Sequence, residues 1–247
     1  MTQIKTYHAS EVVGKRQPGL YGDLGIAGVA GAALVLCVSS LFDDGPRIAL
    51  ALLPFAIGSA IVAHGLRRSY PHGDLGLCNL ITFARLALVA GLTPLVWTAP
   101  DDASLWLAFA IAALCLLLDG VDGWSARRAG LESQFGARFD TEVDAAFALL
   151  LSAVAYSSGQ AGIWVFALGL PYYAFGLAGK RWRWLTGNLP ELFSRKVVCV
   201  LQIGVLIGFL VPIIPDGLML LASATAALAL VVSFLRDIIH LYSCRAS

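Results

Sequence analysis

Apolar runs of about 20 residues follow one another through this chain almost without interval: 24–42, 48–65, 79–98, 105–127, 138–157, 162–179, 195–213 and 217–240. A helix of about that length crosses the hydrocarbon layer of a bilayer, where backbone amides must find their hydrogen bonds within the protein. The pattern therefore predicts an all-α fold: a polytopic helical membrane protein with about eight transmembrane helices. Of the 247 residues, 58% are hydrophobic and 13% charged, whereas a soluble domain carries about 25% charged residues. The runs are separated by turn and breaker residues at Asp43 to Pro46, Tyr70 to Gly73, Ala99 to Asp102, Gly187 to Pro190 and Pro212 to Gly217. The first run exceeds the apolar core of about 7–15 residues typical of a signal peptide and stops at Asp43-Asp44 without a small-residue cleavage site. It is expected to be a retained span, preceded by a cytoplasmic tail (1–22) at the membrane surface.

Basic residues orient the spans. With the N-terminus inside, 15 of the 17 Lys and Arg fall in inner loops or at inner helix ends, Arg47 alone falls outside, and Arg85 lies six residues into its own span. The outer loops carry Asp43, Asp44, Asp101, Asp102 and Asp216 instead. That asymmetry predicts an integral membrane protein with both termini cytoplasmic. A net charge of +1, with no basic run interleaved with aromatics, argues against nucleic acid as a partner. The five cysteines have no CxxC spacing, and the four histidines are scattered, so both sets are read as packing residues. Gly25, Gly28 and Gly31, and Gly204 with Gly208, are read as close-packing positions in apolar helices.

Against this background the stretch from Asp119 to Asp144 stands out, because it puts Asp119, Asp122, Asp140 and Asp144 into an otherwise apolar chain. A carboxylate at membrane depth persists only if it is paired, hydrated or bound to metal, and such residues mark functional sites. Asp119 and Asp122 share one helix face with Gly123 and Ala126, while Gly136, Asp140 and Asp144 form a stripe on the next helix. Gly130 is a natural C-terminal cap for the first helix and Ser133 a start signal for the second. The two antiparallel helices thus share a cytoplasmic end where the carboxylates can converge among small residues. Four carboxylates cannot all stay ionised in such a pocket without counter-charge. Hard oxygen ligands select Mg²⁺ or Mn²⁺, this many ligands allows two ions, and the fork of Arg127 suits a phosphate oxygen; the implied substrate is a diphosphate.

The spacing Asp119-x2-Asp122-Gly123-x2-Ala126-Arg127-x8-Gly136-x3-Asp140-x3-Asp144 resembles the complete signature of the CDP-alcohol phosphotransferase family, and Asn79-Leu-Ile-Thr82 with Arg85 resembles the start of that family's first core helix. The resemblance covers about 79–240 and implies a six-helix catalytic core over 79–247, with residues 23–78 forming two extra N-terminal helices. It also implies transfer of a substituted phosphate from a CDP-linked donor to an alcohol, with release of CMP. Asp119, Asp122, Asp140 and Asp144 would hold the metal, with Asp144 also the general base. Asn79, Thr82, Gly123, Ala126, Arg127, Ser133 and Gly136 would border the CDP moiety. Arg138, Arg195 and Lys196 are candidates for binding a phosphorylated acceptor, beside a reading of equal weight as positive-inside residues.

The expected donor is CDP-diacylglycerol, whose acyl chains can remain in membrane lipid, and the expected acceptor a small alcohol such as glycerol 3-phosphate or inositol phosphate. Serine, choline or a small CDP-alcohol donor stay open. The resemblance further implies a homodimer, a place in phospholipid synthesis and, for the active site, the cytoplasmic side of a membrane such as the bacterial inner membrane. Two alternatives carry different chemistry: an aspartate-rich membrane prenyltransferase, which needs a second acidic motif, and a cation-coupled transporter, for which broken helices or an inverted repeat would be expected.

Overall fold

The computed structural model of the protein describes residues 18–69, 76–98, 100–129, 134–187 and 193–245. Among them the regular structure is helical throughout: α1 (Pro18–Ser39), α2 (Leu52–Ser69), α3 (Gly76–Gly91), α4 (Asp102–Ala129), α5 (Gln134–Ser157), the short α6 (Phe166–Gly169), α7 (Pro171–Arg181), α8 (Phe193–Gly208) and α9 (Asp216–Arg245). Among the described residues, five stretches are long and apolar enough to cross a membrane: Gly22–Ser39, Pro46–Leu66, Gly76–Val96, Asp102–Gly120 and Asp216–Ser243. Large apolar side chains such as Ile26, Ile57, Leu117, Leu221 and Ile239 are exposed on their outward faces, as expected where lipid is the solvent.

The expected count of eight crossings is not reproduced by this criterion, for identifiable reasons. The run 162–179 divides into a 3-10 turn at Ile163–Val165, α6 and α7, with the break at Pro171, which lacks the N–H needed to continue a helix. At the break the Leu168 carbonyl accepts a hydrogen bond from Gln202 Nε2 of α8, at 2.5 Å. The run 195–213 contains the 16-residue α8, and the run 138–157 lies in α5, whose first turns bear charged residues.

Buried stripes at helical spacing explain how the central helices meet. On α3 the stripe is Cys78, Thr82, Arg85, Val89 and, just past its end, Leu92; on α4 it is Leu105, Ala108, Ala112 and Cys115, with Asp119 next in register. On α5, Ala148, Leu151 and Ala155 are buried, and Asp140 and Asp144 continue the same face toward the start of the helix. Each stripe is apolar over most of its length and turns polar at one end, so close packing of α3, α4 and α5 brings the polar ends to one level. Ala108 and Ala112 keep the α3–α4 seam narrow. One apolar cluster joins α3, α4, α5, α8 and α9 through residues including Leu92, Leu105, Phe147, Leu206 and Leu230. A second joins α1 and α2 to α3 and α5 through Val35, Phe55, Phe83, Phe139 and Val143.

The N-terminal pair is held close to this centre. Ser39 Oγ donates to the Gly91 carbonyl at 3.2 Å, and a Cβ added at Gly91 would stand 2.6 Å from Val38 Cβ, so only glycine lets α1 cross α3 there. Of the glycines expected to serve close packing, Gly31 meets Phe55 and Gly208 meets Met219, whereas Gly25, Gly28 and Gly204 occupy open positions. Cys78 and Cys115 are buried as expected and Cys199 partly so, but Cys37 is exposed on α1; the side chain of Cys244 lies outside the described residues.

At the end of the bundle remote from the acidic stretch, Asp43 ties two connections together. Its Oδ2 accepts the indole N–H of Trp97 at 3.0 Å and its Oδ1 the N–H of Gly45 at 2.8 Å. The Trp97 bond first, then that of Gly45, holds the Asp43 carboxyl below its ordinary value of 3.8. A depressed carboxylate pKa contributes stability that is fully present above the ordinary value and is lost as pH falls through the folded value. The indole N–H resonance of Trp97 should therefore titrate with a midpoint below 3.8; a midpoint at or above that value contradicts the tie.

Candidate active site

The first candidate carboxylates follow from helix ends. Helix α4 is described as far as Ala129 and α5 from Gln134, and the expected cap Gly130 and start signal Ser133 lie outside the described residues. Asp119 reaches the shared end from α4, and Asp140 and Asp144 reach it from α5, so that ligand oxygens of the three lie within 4.8 Å of one another. This is the convergence that the two stripes predict. The side chains of Asp122, Gly123, Ala126 and Arg127 lie outside the described residues although the backbone of α4 runs through them, and Ser133 lies outside them altogether.

A residue from a third helix completes the cluster. Arg85 of α3 is 2% exposed and sends its guanidinium between the three carboxylates. Nη1 stands 2.9 Å from Asp119 Oδ1 and 2.6 Å from Asp140 Oδ1, and Nη2 stands 2.5 Å from Asp144 Oδ1. The carboxylates are 25%, 37% and 17% exposed in the same order, so the mouth of the cluster lies at Asp140 and its floor at Asp144. Cys199 Sγ of α8 lies 3.9 Å from Asp144 Oδ2 and closes another side.

The charges do not balance among the described residues. Each pair of carboxylates at this spacing repels by about 3–4 kcal/mol at an effective dielectric near 20, and each guanidinium contact attracts by a similar amount. One arginine thus offsets much of the mutual repulsion among the three carboxylates. A divalent cation fits this cluster in ligand type, since the converging groups are all hard oxygens. Asp119, Asp140 and Asp144 are the described residues that would hold it.

The other candidates are distributed around this centre. Asn79 and Thr82 are buried on α3 one to two turns before Arg85, with Thr82 Oγ1 donating to the Cys78 carbonyl at 3.1 Å. Gly136 is partly buried in the first turn of α5, and Arg138 and Lys196 are exposed. Arg195, a candidate for the acceptor, is engaged elsewhere: its Nε lies 3.2 Å from Asp237 Oδ2, and its Nη2 donates to Asp237 Oδ1 at 3.2 Å. Arg236 joins the same group, with Nη1 donating to Ser194 Oγ at 2.9 Å. The Tyr172 hydroxyl donates to Glu142 Oε1 at 2.8 Å and ties α7 to α5.

Sequence reading noted Arg85 without giving it a place in the site, and passed over Asp237. Both carried a signal: each is an ionisable residue inside an apolar run and so requires a partner on another helix.

A bundle of membrane-length helices whose shared end holds an oxygen-ligand cluster has the means to bind a hard divalent cation at the membrane. The chain belongs to the CDP-alcohol phosphatidyltransferase family, whose domain matches residues 75–235. It is therefore a transferase that moves a phosphatidyl group from a CDP-linked donor to an acceptor, and the prenyltransferase and transporter alternatives give way to that membership. No curated protein and no solved structure matches the chain.

If the Arg195–Asp237 pair fastens α8 to α9, alanine at each position and at both should give a coupling of about 1 kcal/mol or more in a double-mutant cycle of unfolding. Strictly additive losses would show that the pair does not act as a unit.

Proposed function

We propose that the protein transfers the phosphatidyl group of CDP-diacylglycerol to the hydroxyl of a small phosphorylated polyol, such as glycerol 3-phosphate, in phospholipid synthesis. The observation that carries this reading is the convergence of Asp119, Asp140 and Asp144 at one end of α4 and α5, in a chain of this family. A lipid-linked donor suits the location, because its acyl chains can stay beside the exposed apolar faces while its diphosphate meets the carboxylates.

Asp144 has the most enclosed carboxylate of the three and is the residue proposed to take the proton from the acceptor hydroxyl. The acceptor oxygen then forms a bond to the phosphorus of the phosphatidyl group, the bond from that phosphorus to the CMP oxygen breaks, and CMP leaves with the electron pair. Transfer of this kind depends mainly on positioning and on neutralising phosphate charge. Mg²⁺ or Mn²⁺, in our reading two ions held by Asp119, Asp122, Asp140 and Asp144, would neutralise the diphosphate and the leaving phosphate. Gly123, Ala126, Arg127, Ser133 and Gly136 on the two sides of the helix junction, with Asn79 and Thr82 from α3, are proposed to seat the CDP moiety. Arg138, Lys196 and Arg195, the last oriented by Asp237, are proposed to meet the acceptor's phosphate. On the positive-inside pattern, this end of the bundle and both termini are proposed to face the cytoplasm. Residues 79–247 would form the catalytic core, with α1 and α2 as additions to it, and the working form would be a homodimer.

Purified protein given CDP-diacylglycerol and a panel of alcohols should release CMP with one acceptor class, lose that activity in EDTA and regain it with Mg²⁺ or Mn²⁺. Metal-independent release, or none with any acceptor, would overturn the reading. Asp144→Asn should lower turnover by about 10²-fold or more, as expected for loss of a general base, and leave CDP-lipid binding in place; unchanged turnover would remove Asp144 from that role.

A further inference from the structure

An arginine buried among three carboxylates presents an apparent conflict with the function just proposed, because it engages the very oxygens that a cation would use. Its guanidinium contacts one Oδ1 from each of Asp119, Asp140 and Asp144. These three side chains come from two helices, and Arg85 comes from a third, so the contacts also fix the level of α3 against α4 and α5. Without a counter-charge the three carboxylates would repel one another and spread or take up protons.

We infer that Arg85 is a resident counter-cation that keeps the ligand set assembled and sets which metal ions can bind to it. This inference rests on the reading of the carboxylates as a metal site. A cation entering the cluster must share or displace the guanidinium contacts. A monovalent ion brings no more charge than the arginine already supplies and does not bring its fixed fork of donors, so it gains little by exchange. A divalent ion brings twice the charge and gains from all three carboxylates. Arg85 therefore lowers the affinity for every cation but leaves a net advantage only to divalent ones. It is a positioning residue: in the structure it touches the carboxylates, and its effect on the reaction passes through them.

Two substitutions measure this. Arg85→Gln removes the cation and keeps hydrogen-bonding capacity, whereas Arg85→Lys keeps the charge without the fork. In full-length protein stripped with EDTA, Arg85→Gln should unfold at lower temperature than the parent, and Mn²⁺ titration followed by electron paramagnetic resonance should show binding at least about tenfold tighter, the scale expected for removing a neighbouring like charge. Arg85→Lys should stay close to the parent in Mn²⁺ affinity. Potassium ion, compared with a bulky quaternary ammonium ion at equal ionic strength, should weaken Mn²⁺ binding in Arg85→Gln and leave the parent unaffected.

Mn²⁺ binding in Arg85→Gln that is unchanged or weaker would overturn the counter-cation role while leaving the metal reading intact, and a parent that binds no Mn²⁺ would remove both. Equal effects of the two monovalent ions on Arg85→Gln would overturn the selection against monovalent ions. Should Arg85→Gln fail to fold in EDTA, Mn²⁺ present throughout purification should recover it, since the metal then supplies the missing charge; failure to recover would equally overturn the inference.

Discussion

Charge that is taken out of water has to be matched at the place where it is buried, and in this protein that requirement fixes the relative positions of three helices. Arg85 cannot sit in an apolar span alone, and neither can Asp119, Asp140 or Asp144. The four side chains reach one another only if α3, α4 and α5 meet at a common level. Apolar packing along the seams provides the attraction, but apolar packing alone would tolerate a shift of one turn. The ion contacts remove that freedom, because a shift of about 5 Å along any helix would strand a buried charge.

The same rule operates a second time between α8 and α9. Asp237 is buried in the last long helix and is answered by Arg195, with Arg236 and Ser194 beside it. The bundle is thus fastened by two charged contacts, one at the candidate active site and one where α8 and α9 meet, and Cys199, one turn beyond Arg195, connects α8 to the first of them. The acceptor-binding expectation for Arg195 and its observed pairing are compatible in one respect: a side chain held by Asp237 is already oriented before any anion arrives.

Much of this was legible in the sequence. The apolar runs located the long helices, while the cap and start signals at Gly130 and Ser133 lie outside the described residues. The four aspartates declared the site because charge is rare in such a chain. What spacing could not supply was the pairing across helices: Arg85 is 34 positions from Asp119 and 59 from Asp144, and nothing in a helical period relates them. Hydropathy likewise could not count crossings at Pro171, since it sums apolar character without regard to whether the backbone ladder continues. The exposure of Cys37 and Gly25 was missed because α1 is apolar on nearly every side, and its sequence does not distinguish a face toward protein from a face toward lipid.

The narrow seam between α3 and α4 has a mechanical consequence. Ala108, Ala112 and Cys115 line it on the α4 side, and none of them has a long flexible side chain that could swing aside. Thickness added anywhere along this line would act as a shim, prying α3 and α4 apart over their whole length, and the gap would open at the far end between Arg85 and Asp119. Reaction geometry tolerates errors well under about 1 Å before rates fall by orders of magnitude. Residues about one to three turns from Asp119 therefore hold the alignment tolerance of the site, in the way that a spacer rather than a jaw determines the fit of a clamp.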